Sequence, residues 1–497
     1  MATPIRNPEI KYTKLFINNE FVDAASGKTF ATINPTNEEE IAQIAAGDKA
    51  DVDKAVAAAK AAFDPDSEWR QMKPADRAGL MHKLADLIER DRAIFASLET
   101  VDMGKPFTIA YNEDIQAGIN AFRYFAGWCD KVTGETIPSE DGKFLYTRYE
   151  PVGVCGLIAP WNFPFAMNTL KVSACVSMGN TCILKPAEQS PLTALHLAAL
   201  VKEAGFPPGV INIIPGFGPT AGSALTHHHD INKVSFTGST IVGRKIQQAS
   251  SETNLKRVAL ELGGKSPLIV FPDFDLDACV CQAHEGAMYN TGQVCCAPTR
   301  TFVHESIYDK FVAKTVEYAK NRVVGDPFDE KTQMGPQVSK VQFDKVIDLI
   351  ESGKKEGAKL EIGGNRLCNK GYFVEPTVFS DVQDHMRIAK EEIFGPVQSI
   401  FKFSTIDEVI RRANDTDYGL AAFVFTKDIN TAIYVSNRLQ AGTINVNSLS
   451  SGSGLGLPFG GYKQSGIGRE YGKEGVHEYC EVKSVSISVP QSGLLKC

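Results

Sequence analysis

Apolar residues recur along this chain with two periods. In "DKADVDKAVAAAKAAF" (48–63) Val52, Val56 and Ala59 share one face. In "DRAGLMHKLADLIERDRAIFASLE" (76–99) Leu80, Leu84, Leu87 and Ile88 do the same. Spacings of three and four residues predict an amphipathic helix over each stretch. From about residue 152 the rhythm changes. Short β-branched runs, "VGVCGLI", "TCIL", "VINII", "KVSF" and "PLIVF", alternate with helical stretches after Pro164, Ser190, Pro219 and Ser239. That alternation predicts βαβ units: a mostly parallel sheet with helices on its faces. A second α/β set runs from about 275 to 446 and ends in "GTINVN". The predicted class is α/β, with two doubly wound domains.

Three segments fall outside this pattern. "GETIPSEDGKFLYTRYEPVG" (134–153) reads as a hairpin inserted before the first βαβ unit. "YCEVKSVSISVP" (479–490) places Val482, Val485 and Ile487 in a β-run with no partner nearby in sequence. An uncovered apolar edge strand is an aggregation hazard. The tail is therefore expected to pair with another subunit and, with the hairpin, to form a small β oligomerisation element. The Gly/Ser-rich "SSGSGLGLPFGG" (450–461) is short for a linker and reads as a loop at a site.

Composition narrows the function classes. The chain has 497 residues, 43% of them hydrophobic, enough for large buried cores. Its net charge is −7 with Lys and Arg scattered, so the basic footprint of a nucleic-acid binder is missing. No apolar run reaches the roughly 18 residues of a membrane span. The start, "MATPIRNPEIKYTKLF", carries neither an apolar core nor an Arg-rich amphipathic stretch, and a cytoplasmic location is expected. The 11 cysteines are odd in number and irregularly spaced, which reads as reduced thiols. His227, His228 and His229 lack ligand spacing, and no metal site is expected.

Candidate chemistry lies at several points. "NTGQVCCAPTR" (290–300) sets Cys295 beside Cys296; neighbouring side chains point in different directions, so only one of the two can easily face a given cleft, and composition alone favours a plain buried role for both. "GFGPTA" (216–221), with Gly218 at its centre, fits a phosphate-cradle pattern, although Pro219 removes one donor and no acidic residue follows at the expected distance. "SFTGSTIVG" (235–243) reads as a strand end, a Gly238–Ser239 turn and a helix start, where N–H groups and hydroxyls suit a pyrophosphate. Lys185 and Glu188 of "ILKPAEQSP" leave a strand end together. A carboxylate there accepts from ribose hydroxyls and repels a 2′-phosphate, which favours NAD over NADP.

In order along the chain stand "PWNFP" (160–164), "LKPAEQSP", "FTGST", "LELGGKSP" (260–267), "GQVC" (292–295), "EEIFGPV" (391–397) and "PFGGYKQSG" (458–466). Together they resemble the NAD-dependent aldehyde dehydrogenase family, of the general cytosolic and mitochondrial type, over nearly the whole chain. The resemblance implies a dinucleotide-binding domain over 1–133 and 152–263, a catalytic domain over 264–478 and an oligomerisation element over 134–151 and 479–497. It implies Cys295 as nucleophile, Glu261 as general base and Asn162 as oxyanion donor. It puts Glu392 and Phe394 at the nicotinamide riboside, Lys185 and Glu188 at the adenosine ribose, and Gly238 and Ser239 at the pyrophosphate, and counts Trp161 and Gly218 among the cofactor-binding residues. Phe163, Met167 and Leu170 share a helix face that lines the family's substrate tunnel, a face without charge that suits plain aliphatic or aromatic aldehydes. A homo-oligomer, preferably a tetramer, is implied.

The residue types suit the chemistry. A thiolate makes the aldehyde carbon tetrahedral and later leaves. A free thiol, with a pKa of about 8.5, is mostly protonated at neutral pH, so the site is expected to lower it. Val294, where relatives often carry another cysteine, and Pro298, where glycine is common, leave the catalytic roles intact. Two rivals are a crystallin-like structural protein of the same family and an acylating enzyme that delivers the thioester to coenzyme A. The set Cys295, Glu261 and Asn162 speaks against the first, and Glu261 as a water activator against the second.

Overall fold

The computed structural model describes residues 3–140, 142–449 and 454–488. Two large sheets organise the described residues. In the first, parallel strands stand in the spatial order Arg257–Glu261, Lys233–Thr237, Val154–Ile158, Thr181–Lys185 and Ile211–Ile213. Numbered along the chain that order reads 5-4-1-2-3, so connections leave the central strand Val154–Ile158 in both directions. Ligands in such sheets bind outside the carboxyl ends of the strands, at the point where the order reverses. Short antiparallel strands, Gly466–Ile467 at one edge and Leu15–Ile17 with Glu20–Val22 at the other, close the sheet.

The second sheet runs Lys359–Ile362, Thr377–Ser380, Val397–Phe403, Arg300–His304, Pro267–Val270, Ala421–Phe425 and Thr443–Val446. "PLIVF" therefore belongs to this sheet, pairing with Arg300–Val303. The fifth strand of the first sheet is "RVALE" (257–261), whose half-exposed start hides its strand character in a hydrophobicity reading. Both sheets are covered by helices, in keeping with the nearly uninterrupted burial of their central strands.

The helix expected over 48–63 forms at Lys49–Phe63, where Asp48 and Asp51 build a reciprocal cap. The helix expected over 76–99 is two: Pro74–Arg90 and Arg92–Met103. They break at Asp91, whose carboxylate accepts from the Arg90 guanidinium and contacts His196 Nε2 at 3.2 Å. A tertiary tie decides this break, which the helical period runs straight across.

The hairpin and tail need a correction. The tail strand Cys480–Ser488 does have a partner in its own chain: it pairs antiparallel with Lys143–Pro151 over nine residues, from Cys480↔Pro151 to Ser488↔Lys143. Thr136–Ile137 completes this three-stranded sheet. More than 300 residues separate the two long strands, so sequence proximity carried no hint of the pairing. The sheet still shows apolar side chains: Val482 is 58% and Ile487 47% exposed, and Ile137 and Phe144 are also exposed.

Candidate active site

A cavity of about 770 Å³ opens between the carboxyl ends of the first sheet and the second sheet. This size is in the range of small-molecule sites. Asn162, Glu261 and Cys295 all line it, with Trp161, Phe163, Met167, Gly238, Ser239, Glu392 and Phe394.

Cys295 reaches the cavity through an unusual turn. Helix Leu276–Met288 ends, and Asn290, Thr291 and Gly292 follow with φ of 48°, 59° and 71°. Left-handed backbone at two non-glycine residues is strained and persists only where surroundings hold it. Here they do. Asn290 Nδ2 donates to the Asn162 carbonyl at 2.9 Å, Gln337 Nε2 donates to the Thr291 carbonyl at 3.0 Å, and Gln293 Oε1 accepts from the Val338 N–H at 2.9 Å. A Cβ on Gly292 would collide with the Gly395 carbonyl, so glycine is required for space as well as φ.

Asn162 lies in the loop between strand Val154–Ile158 and helix Pro164–Ser177, 5% exposed. Its Nδ2 donates to the Gln293 carbonyl at 2.9 Å, two residues before Cys295. An amide carries two such hydrogens, which leaves one for another acceptor.

Glu261 ends the strand Arg257–Glu261 and is 4% exposed. Its Oε2 has no hydrogen-bond partner. Burial and then the nearby Glu470 charge push its carboxyl well above the usual range, against the pull of Lys171 and Arg469. Glu470 is itself held by Lys171 Nζ at 2.5 Å, and Lys171 also donates to Ser235 Oγ at 3.0 Å. Lys171 is the kind of residue a sequence scan can flag: a lysine on a helix whose remaining positions are nearly all apolar or small.

The expectation of a lowered Cys295 pKa is corrected for the protein alone. Hydrogen bonding with the Cys296 side chain, then burial, then the charges of Glu392 and Glu261 hold the Cys295 thiol well above its ordinary range. Among the described residues the sole cation lining the cavity is Lys345, which feels the charges of Glu392 and Glu391.

Around the reversal point the side chains suit a dinucleotide. Trp161 meets Phe394 edge to face, ring centroids 5.2 Å apart. Glu392 Oε1 accepts from the Gly264 N–H at 2.9 Å, and a Cβ on Gly263 would come within 2.7 Å of Glu392 Oε2, so the Gly–Gly pair makes room for this carboxylate. Ser239 caps helix Thr240–Glu252. The Gly238 N–H is taken by the Glu261 carbonyl at 3.0 Å, so the expected donor at Gly238 is not free. One buried hydroxyl, Thr237 Oγ1, lacks a partner where the strand turns into this helix. An orphaned donor at a helix N-terminus fits a phosphate group.

Lys185 and Glu188 pair at 3.2 Å beyond the cavity proper. Gly218 is not in the cavity wall; it begins an exposed turn, Gly218–Gly222, after the third strand rather than the central one, with Gly222 beside the Lys185 side chain. Leu170 does not line the cavity either. It is 2% exposed and packed in the core, because one helix turn beyond Met167 the face has already passed behind the wall. The uncharged wall expected from that face is also incomplete, since Glu113, Asp114 and Glu285 contribute to it. The loop at 450–461 is described only from residue 454, where Phe459 joins the cavity wall and bridges to Glu470; residues 450–453 lie outside the described residues.

The profile of the Aldehyde dehydrogenase family matches residues 21–485. This chain belongs to that family. It is 60% identical to an aldehyde dehydrogenase of Enchytraeus buchholzi, over 98% of each chain, and 59% identical to aldehyde dehydrogenase 1A1 of Gallus gallus, over 99% of this chain and 96% of that one. Among solved structures, an aldehyde dehydrogenase of Bacillus cereus in complex with NAD+ is 49% identical with a TM-score of 0.95, covering 97% of this chain and 100% of that one. The aldehyde dehydrogenase described here is thus an NAD-dependent enzyme. No helix among its described residues is long and apolar enough to cross a membrane.

Proposed function

We propose that this aldehyde dehydrogenase oxidises its substrate through a covalent bond to Cys295. The reading rests on one observation: Cys295, Asn162 and Glu261 line a single cavity. Cys295 gives up its thiol proton to water as Sγ adds to the aldehyde carbon, and the carbonyl oxygen takes its charge onto the free Asn162 N–H and the Cys295 backbone N–H. When bound, NAD supplies the acceptor for the hydride that the tetrahedral carbon gives up. The carbon is then a thioester on Cys295. Glu261 takes a proton from water as that water attacks; the C–S bond breaks, and the free acid and the Cys295 thiol are released. The unpartnered Glu261 Oε2 supports hydrolysis over transfer to coenzyme A, and the complete set supports an enzyme over a purely structural protein.

Residues 1–133 and 152–263 hold the dinucleotide in this reading, and 264–478 present the nucleophile. Trp161, Phe394 and Glu392 grip the nicotinamide riboside, Ser239 and its helix start the phosphates, and Lys185 and Glu188 the adenosine ribose. Phe163 and Met167 guide the substrate. The exposed sheet of 136–151 and 480–488 supports assembly, preferably as a tetramer, in the cytoplasm. With NAD and a simple aldehyde the purified protein should yield NADH and free acid, while Cys295→Ala binds NAD without turnover. A fully active Cys295→Ala protein overturns the mechanism. Light scattering that returns a mass of one 54.1 kDa chain overturns the assembly.

A further inference from the structure

The substrate side of the cavity carries a charge that aldehyde chemistry does not require. Glu113 is an exposed residue of the helical turn Ala110–Asp114 and lines the same cavity as Cys295. Its Oε2 accepts from the Tyr289 hydroxyl at 2.6 Å. Tyr289 follows the helix that leads to the nucleophile turn, and its ring lies nearly parallel to that of Phe163, 22° between planes and 6.3 Å between centroids. The neighbouring carboxylates are answered within the protein. Asp114 pairs with buried Lys105 at 2.7 Å, and Glu285 with Arg322 at 2.8 Å. Glu113 has no ion pair among the described residues; a neutral phenol is its hydrogen-bond partner. Lys345, the cation of the described wall, feels the charges of Glu392 and Glu391, and the cation at the Phe163 ring, Lys105 Nζ at 4.1 Å from its centroid, is the one already paired with Asp114.

An unpaired carboxylate beside aromatic rings is the chemistry that recognises an ammonium group. Resting on the reading that aldehydes enter this cavity to meet Cys295, we propose that Glu113, held by Tyr289, makes the enzyme selective for aldehydes that carry a cationic nitrogen at the end remote from the carbonyl. The phenol donates one hydrogen to Glu113 and thereby fixes the carboxylate without neutralising it. The carboxylate keeps acceptor capacity on both oxygens. An aldehyde with its carbonyl carbon at Cys295 extends along Phe163 and Met167 and brings its far end toward this group. A long neutral aldehyde finds the same apolar wall and gains nothing from Glu113.

The test compares kcat/KM for a trimethylammonio-alkanal and the isosteric aldehyde in which carbon replaces nitrogen, over a series of chain lengths. The ratio of cationic to neutral substrate should be highest at one length, fall roughly fivefold in Glu113→Gln and further in Glu113→Lys, and fall with added salt in the wild type. The range is set by a partly solvated charge pair. Tyr289→Phe, which frees Glu113 without removing its charge, should keep the preference. A ratio that Glu113→Gln, Glu113→Lys and salt all leave unchanged overturns the proposal. Oxidation of neither aldehyde is a different result and overturns the aldehyde reading of the cavity itself.

Discussion

Replacing Asn162 by alanine separates the catalytic from the structural work of one side chain. Structurally the substitution removes one neutral hydrogen bond, the 2.9 Å contact to the Gln293 carbonyl. That carbonyl keeps a second donor, Asn290 Nδ2 at 3.2 Å, so it is not orphaned. The turn also keeps its tie from Asn290 to the Asn162 backbone carbonyl. A lost neutral hydrogen bond costs about 1 kcal/mol, and the removed atoms border a cavity that water can refill. Catalytically the free amide hydrogen is assigned to the oxyanion that forms on attack by Cys295. Loss of one such donor costs on the order of 3 kcal/mol, or about two orders of magnitude in kcat. The two effects are therefore unequal, and unequal in the direction that an experiment can read. Initial rates of NADH formation at saturating aldehyde should fall about a hundredfold. Thermal unfolding should move by only a few degrees, and NAD affinity should be retained. A folded Asn162→Ala protein with kcat within about threefold of wild type refutes the oxyanion role.

Other expectations follow from the same geometry. Cys296→Ala removes the first cause of the raised Cys295 thiol, so the pH profile for alkylation of Cys295 should move to lower pH; an unmoved profile refutes the coupling. Only deprotonated Glu261 accepts a proton, and its pKa is raised by burial and Glu470, so hydrolysis should weaken as pH falls through that raised value. Glu261→Gln should slow turnover and flatten this acid limb, and a limb of unchanged shape would assign it to another group. Glu188→Gln removes the like charge that meets a 2′-phosphate, so the ratio of NADP to NAD efficiency should rise. A wild type that uses both cofactors equally places Glu188 away from the ribose.

The hydrophobic pattern by itself determined most strands, the α/β class and the helix over 49–63, because local period reports which face a segment buries. Motif chemistry determined Cys295, Glu261 and Asn162 as residues to watch, since a thiol, a carboxylate and an amide have few other reasons to follow strand ends and glycine turns. Tertiary structure decided what depends on partners far away in sequence. It broke the helix at Asp91 through a contact with His196, and it gave the tail strand 480–488 a partner at 143–151 instead of leaving it open. It buried Leu170 behind the cavity wall and engaged the Gly238 N–H with Glu261. It set the Glu392 and Glu261 charges near the Cys295 thiol, and left Glu113 with a phenol and no ion pair among the described residues. Charge and hydrogen bonding depend on distances between groups that the chain brings together only on folding, and a linear pattern records none of those distances.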